Sequence, residues 1–355
     1  MTPNDREQKV TALIDKLCLT RKLKRSEWIT IIRERTPAAA EHLFELARAV
    51  RIHHYGHDIY IRGLIEFTNY CRNDCYYCGI RKSNANALRY RLSKEDILTC
   101  CKEGYRLGFR TFVLQGGEDG WFTDERLCDI VSAIRAQFPD CAITLSVGER
   151  SYDSYKRLYD AGADRYLLRH ETYDEKHYSR LHPPQLSATH RKQCLWNLKK
   201  IGYQVGTGFM VGSPYQTPEN LADDMLFLAK LNPQMVGIGP FIPHHETPFA
   251  RMPGGTAELT VYMLGLIRLL LPRVLLPATT ALGTIAEDGR EKGILAGANV
   301  IMPNLSPAQV REKYLLYDNK LCTGDEAAES LNHLRERMEK IGYHIAVSRG
   351  DSLNI

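Results

Sequence analysis

From residue 58 onward the chain alternates short, β-rich apolar runs with longer amphipathic stretches, and it does so eight times. The runs are 59–68, 111–116, 142–147, 165–169, 204–211, 235–241, 275–280 and 299–302. They are apolar almost throughout rather than at alternate positions, so both faces of each strand must be covered, which points to parallel pairing. Eight such strands joined by helices close into a complete (βα)8 TIM-type barrel, an α/β fold. An open, doubly wound sheet is the alternative that the pattern leaves. Upstream, apolar residues recur at helical spacing, at Val10, Leu13, Ile14 and Leu17 and again at Leu43, Leu46, Ala47 and Val50. Residues 1–57 therefore read as an N-terminal helical cap, with helix starts at Ser26 and at Thr36-Pro37. The barrel is expected over 58–306. Residues 307–355 read as a segment packed on it, ending in a C-terminal helical tail from Asp325 and a short extension.

In such a barrel functional groups gather at the C-terminal strand ends. The first run leads into Cys71, Cys75 and Cys78, spaced C-x3-C-x2-C. A short loop with thiols at these offsets can wrap one cubane iron–sulfur cluster. Four irons commonly take four cysteines, so three leave one iron for another ligand. Zinc is the plainer reading, but structural zinc sites close with four ligands, and the chain has no second C-x2-C. A disulfide framework suits small secreted domains, and the N-terminal residues lack the apolar core of a secretory signal. A reducing cytoplasm is expected. Cys18, Cys100, Cys101, Cys128, Cys141 and Cys194 sit in apolar-patterned segments and read as buried free thiols.

Later strand ends add candidates. Gly116-Gly117-Glu118, after Gln115, lets backbone carbonyls approach a ligand closely; a tight turn is the dull reading. Arg169 and Glu171 flank His170 and point the same way, either as an internal ion pair or to hold a carboxylate and a ribose. Thr144 and Ser146 mark the third strand. Thr279 and Thr280 offer hydroxyls to an anion at the seventh. His244-His245-Glu246 invites a metal reading, but adjacent strand residues face opposite ways, so at most one histidine is expected in a given site.

The cysteine spacing, with aromatic Tyr77 before the last cysteine, resembles the signature of the radical S-adenosylmethionine (SAM) superfamily. Blocks at 65–69, 78–81, 114–119, 161–172, 236–244, 277–281 and 297–304 are similar to its HydE family of [FeFe]-hydrogenase maturases. The resemblance implies one [4Fe-4S] cluster on Cys71, Cys75 and Cys78, its open iron chelating SAM. It implies SAM contacts from Tyr77, Gln115, Gly116, Gly117, Glu118, Glu171 and Arg191; taken alone, Arg191 would be a surface arginine. An electron would cleave SAM to methionine and a 5′-deoxyadenosyl radical. The implied substrate is small and anionic, a cysteine-ligated iron carbonyl–cyanide precursor. Arg169, Thr279, Thr280, Met302, Tyr314 and Tyr317 would line its pocket, with Thr144 and Ser146 beside them. Transient contacts with other hydrogenase maturation proteins and an electron donor follow from the same resemblance.

Some members of that family carry a second cluster on three cysteines near the C-terminus. Here only Cys322 stands in that region, so no second cluster is expected. Methylornithine synthase and biotin synthase share the cluster motif and are the rival enzymes. Biotin synthase has an asparagine-rich fourth strand end where this chain has Leu168-Arg169-His170-Glu171. A zinc-stabilised interaction module is the rival of another class. The formal charge of +5 is scattered rather than gathered into a stripe, so nucleic-acid binding is not expected. The longest apolar stretch, 264–276, is broken by Arg268 and Arg273, so no membrane span is expected either.

Overall fold

The computed structural model describes residues 3–321 and 328–353. In chain order the strands are β1 (Asp58–Ile61), β2 (Gly63–Thr68), β3 (Thr111–Gly116), β4 (Ala142–Ser146), β5 (Arg165–Leu167), β6 (Gln204–Thr207), β7 (Met210–Val211), β8 (Met235–Val236), β9 (Gly239–Pro240), β10 (Val300–Ile301) and β11 (His344–Ala346). One parallel sheet runs β2-β3-β4-β5-β6-β8. Beyond β8 the order is carried by single parallel bridges, Met235 to Leu275 and Pro277 to Val300. It returns to its start where the backbone N–H groups of Tyr60, Arg62 and Leu64 donate to Asn299, Ile301 and Pro303. The arrangement is the expected α/β TIM type, with its seventh stave reduced to bridges. Pro277 has no N–H for a ladder, and at Thr279 the chain already turns into the helix Thr280–Ile285.

Several expected strands are interrupted. The run 59–68 breaks at Arg62, 204–211 between β6 and β7, and 235–241 between β8 and β9. The last two breaks face each other: a Cβ on Gly208 would lie 1.9 Å from Gly237 O, a closeness only glycine permits.

The helices follow their caps. Lys94–Arg106 starts behind Ser93, whose Oγ accepts from Asp96 N at 3.1 Å while Asp96 accepts from Ser93 N at 3.0 Å. Pro218–Leu231 starts behind Thr217 and buries Leu221, Met225 and Leu228, the face expected from the spacing. The N-terminal helices are Pro3–Thr20, Arg25–Arg33 and Pro37–Tyr55. Thr36 caps the third as expected, whereas the second begins one residue before Ser26, with Lys24 at its N-cap. Together they cover Pro218–Leu231 and Ala257–Leu270. That cover explains why Ala257–Leu270 is apolar nearly all round: residues 260–270 are all buried. Arg268 is tolerated there because its guanidinium donates to the carbonyls of Gly297, Pro272 and Val274, each at 2.8 Å. Among the described residues, no helix is long and apolar enough to cross a membrane.

The C-terminal segment holds the helix Leu331–Lys340 and then β11, a strand that the sequence pattern does not announce. β11 lies parallel to β1, so it packs at the end of the barrel remote from the cysteine loop. The expected helix start at Asp325 and the lone Cys322 lie outside the described residues.

Candidate functional site

β2 ends at Thr68, and the buried Asn69 pins the chain that leaves it. Its Nδ2 donates to Leu88 O (2.9 Å) and Lys313 O (2.7 Å), and its Oδ1 accepts from Tyr90 N (2.8 Å). The cysteine loop then hangs from three other elements by backbone hydrogen bonds. Arg72 N donates to Glu118 O (2.9 Å), Tyr76 N to Leu181 O (3.0 Å) and Gly79 N to Leu316 O (2.9 Å). Gly117 permits this approach, since a Cβ there would lie 2.2 Å from Tyr70 O and 2.7 Å from Cys71 Cβ. Cys71, Cys75 and Cys78 line a cavity of about 370 Å³ at the C-terminal strand ends. Burial, with the neighbouring thiols, pushes Cys75 well above its ordinary pKa and Cys78 up to about 12. As free thiols they keep their protons, and only a bound cation would make the thiolates stable here.

The same cavity collects Tyr77, Gln115, Gly116, Gly117, Glu118, Ser146, Arg169, Glu171, Arg191, Thr279, Thr280, Met302, Tyr314 and Tyr317. Strand register explains part of this convergence: Glu66, Gln115 and Ser146 stand opposite one another on β2, β3 and β4. Thr144 stands apart. It is two residues lower on β4, opposite Arg165, and lines a separate small cavity with Arg62 and Arg165. The alternation of strand residues put it on the inward face but not at the height of the mouth.

Arg169 Nη2 and Glu171 Oε2 lie 3.1 Å apart, as the plainer reading had it. Yet neither atom is aligned for a hydrogen bond, and Arg169 Nε and Thr279 Oγ1 are likewise buried without a partner. Buried polar atoms left open in this way are expected where a ligand completes them. Glu171 also holds a φ of 65°, an uncommon conformation for a residue with a side chain. Between the two, His170 turns away. Its Nδ1 is 2.9 Å from Thr207 Oγ1 and its Nε2 3.2 Å from Asp224 Oδ1, and burial pulls the imidazole down to about 3. This neutral, fully buried anchor fixes the backbone from which Arg169 and Glu171 project.

Other groups differ from expectation. The Glu118 carboxylate already accepts from Arg72 Nε (3.0 Å) and Glu149 N (2.9 Å), so what that stretch presents to a ligand is largely backbone. Arg191 is no surface arginine. It is buried at the cavity wall, its Nε 2.7 Å from Glu149 Oε1. Burial disfavours its charge, but Tyr178, Glu149 and Glu118 outweigh that and hold it well above the usual guanidinium value. His244 and His245 do not diverge. The chain has left the strand at β9, their rings stack at 4.5 Å, and both turn toward Asp318. Sequence reasoning missed Lys320, which reaches the cavity and pairs with Glu66 at 2.7 Å, both side chains buried. The available signal was Glu66 itself, a carboxylate inside an apolar strand that needs a buried partner.

A family profile described as "Radical SAM superfamily" matches residues 65–228. The "[FeFe] hydrogenase maturase subunit HydE" of Thermotoga maritima is 44% identical over 302 residues, 85% of this chain and 86% of that protein. The chain belongs to the HydE family of radical SAM enzymes. A "3-methylornithine synthase" of Methanosarcina acetivorans is 28% identical over 304 residues, 85% of this chain and 84% of that one. Among solved structures, methylornithine synthase (PylB) superposes with a TM-score of 0.84 at 26% identity, covering 94% of this chain and 97% of that one. The hydrogenase maturase HydG, at 18% identity and a TM-score of 0.81, shares the fold; it covers 96% of this chain and 76% of that one.

Membership in this HydE family implies a [4Fe-4S] cluster and SAM, and the residues present fit them. Among the described residues, groups of three potential metal ligands within 4.8 Å of one another occur at Glu149/His190/Cys194 and His244/His245/Asp318, not at the three cysteines. Zinc–sulfur bonds of about 2.3 Å would draw thiolates to roughly 3.8 Å of one another. The wider spread of Cys71, Cys75 and Cys78 suits a multi-iron cluster rather than one zinc ion.

Proposed function

We propose that this HydE-family chain cleaves SAM reductively and acts on a small, anionic, cysteine-ligated iron carbonyl–cyanide precursor during assembly of the [FeFe]-hydrogenase cofactor. The observation that carries this reading is the Arg169–Glu171 pair, its facing atoms buried, with Arg169 Nε and the neighbouring Thr279 Oγ1 left without a partner, lining one cavity with Cys71, Cys75 and Cys78. When bound, the cluster and SAM supply one-electron cleavage to methionine and a 5′-deoxyadenosyl radical. The three cysteines would hold the cluster by thiolates, and three ligands for four irons would leave room for SAM. Gly116, Gly117 and their neighbours would offer backbone carbonyls to the SAM ammonium group, Glu171 would take the ribose hydroxyls, and Arg191 would take the carboxylate. Tyr77 packs beside the cysteines with its hydroxyl 3.1 Å from His182 Nε2.

On the far wall Arg169, Thr279 and Thr280 orient the substrate by donating to its anionic groups. Met302, Tyr314 and Tyr317, with Ser146, close the pocket and exclude water. Thr144, in the lower cavity, takes no part. The role brings with it transient contacts with other hydrogenase maturation proteins and an electron donor, in the cytoplasm. The test is anaerobic reconstitution followed by dithionite and SAM. Release of 5′-deoxyadenosine together with hydrogenase activation in a maturation assay is the expected result; activation unchanged by Arg169→Ala would overturn the substrate assignment.

Methylornithine synthase activity is a second reading, favoured by the TM-score of 0.84 to that enzyme. Incubation with SAM and lysine decides it, since 3-methylornithine would displace the maturase role.

A further inference from the structure

We propose that Glu149, His190 and Cys194 form a separate metal site for a borderline-soft divalent cation, Zn²⁺. Helix Ala188–Ile201 starts behind Ser187, whose Oγ accepts from His190 N at 3.3 Å. His190 and Cys194 are four residues apart on this helix and so share one of its faces. His190 Nε2 lies 3.7 Å from Cys194 Sγ. Glu149 arrives from the segment after β4, and its Oε2 is 3.5 Å from the same Nε2. A tetrahedral zinc, with bonds of about 2.0–2.1 Å to nitrogen or oxygen and 2.3 Å to sulfur, needs separations of roughly 3.6 Å for N–S and 3.3 Å for N–O. Both separations from His190 therefore stand within about 0.2 Å of ligand spacing, and the Glu149 oxygen and Cys194 Sγ lie within 4.8 Å of each other.

The chemistry of the set agrees. Thiolate and imidazole favour zinc over magnesium or calcium. One thiolate and one carboxylate balance a dication, while Glu149 Oε1 stays with Arg191 at 2.7 Å. Cys194 is buried and the Glu149 side chain is 8% exposed, whereas the His190 side chain is 62% exposed. A cation thus has an entry path and an open fourth position for water. The thiol also faces Arg150 O at 3.9 Å, a weak contact, and the Tyr155 hydroxyl. None of the three residues lines the main cavity, but a cation here braces the carboxylate that holds Arg191 against its wall.

The second close grouping, His244, His245 and Asp318, carries no such site. Glu246 N donates to His244 Nδ1 at 3.1 Å, which leaves the neutral ring's proton on Nε2, the atom 4.0 Å from Asp318.

The test uses cluster-loaded protein, with iron counted throughout. Zn²⁺ is titrated against a chromophoric indicator, and zinc K-edge X-ray absorption reads its neighbours. The expected result is one zinc per chain bound through one sulfur and otherwise nitrogen or oxygen. His190→Ala, on the solvent side, should weaken binding at least about tenfold, and Cys194→Ser should remove the sulfur signal at unchanged iron content. Zinc held by two or more sulfurs, no zinc retained, or an affinity indifferent to both substitutions would overturn the proposal.

Discussion

Arg165 and Arg169 lie at the two ends of one short strand, yet they live in opposite circumstances. Arg165, at the entry to β5, donates to Gln204 Oε1, Thr111 Oγ1, Arg349 O, Gly350 O and Asp351 Oδ1, the last at 2.6 Å. Arg169, just past its exit, has Glu171 at 3.1 Å and two nitrogens without a hydrogen bond. The tail after β11 satisfies the first; among the described residues the second has Glu171 alone as a charged partner and no aligned hydrogen bond at Nε or Nη2. Of these two arginines, the one at the entry of β5 is committed to stability, and the one at the mouth keeps donors open for a ligand.

The sharpest way to test this contrast is to remove a cluster ligand. Cys75→Ala should abolish 5′-deoxyadenosine formation and leave iron well below four per chain, while apo-protein thermal midpoints stay near wild type. Next, Arg169→Ala should keep the cluster and the midpoint but cut maturation on the order of a hundredfold or more, the worth of two charge-assisted hydrogen bonds. A large loss of stability there would erase the distinction between the two ends. At the closed end the expectation reverses: Asp351→Ala should cost about 2–3 kcal/mol in urea unfolding of the apo-protein, because it leaves the Arg165 charge buried with fewer partners. SAM cleavage by the folded fraction should be unchanged.

The smallest effect is a pH dependence. Burial alone would raise the pKa of Asp351, but hydrogen bonding and attraction to Arg165 hold it well below the usual carboxylate range. A carboxyl depressed in the folded state lends stability that is complete above its unfolded value of about 3.9 and lost as pH falls through the folded one. Apo-protein midpoints should therefore drop more steeply below pH 4 in the wild type than in Asp351→Ala. Parallel curves would mean that the tail contributes nothing through this pair.

Much of the mouth was legible because its residues follow strand ends, and strand ends were legible from apolar runs. Cys71, Cys75, Cys78, Gln115, Arg169 and Thr279 all reach one cavity on that argument. It failed where height or connection mattered rather than face. Thr144 has the right parity but lies one layer too low. His244 and His245 follow a strand that ends at Pro240, so the rule of alternating faces no longer governs them. Lys320 comes from far along the chain to meet Glu66, a pairing that no local pattern encodes.

By itself the sequence determined the alternation of strands and helices, the three-cysteine loop and the inward face of each stave, because these rest on local periodicity and on ligand spacing within a few residues. Only the tertiary structure decided which charges are satisfied. Whether an arginine is neutralised or left waiting depends on segments such as the tail beyond β11 coming into reach, and burial then makes that difference energetically large.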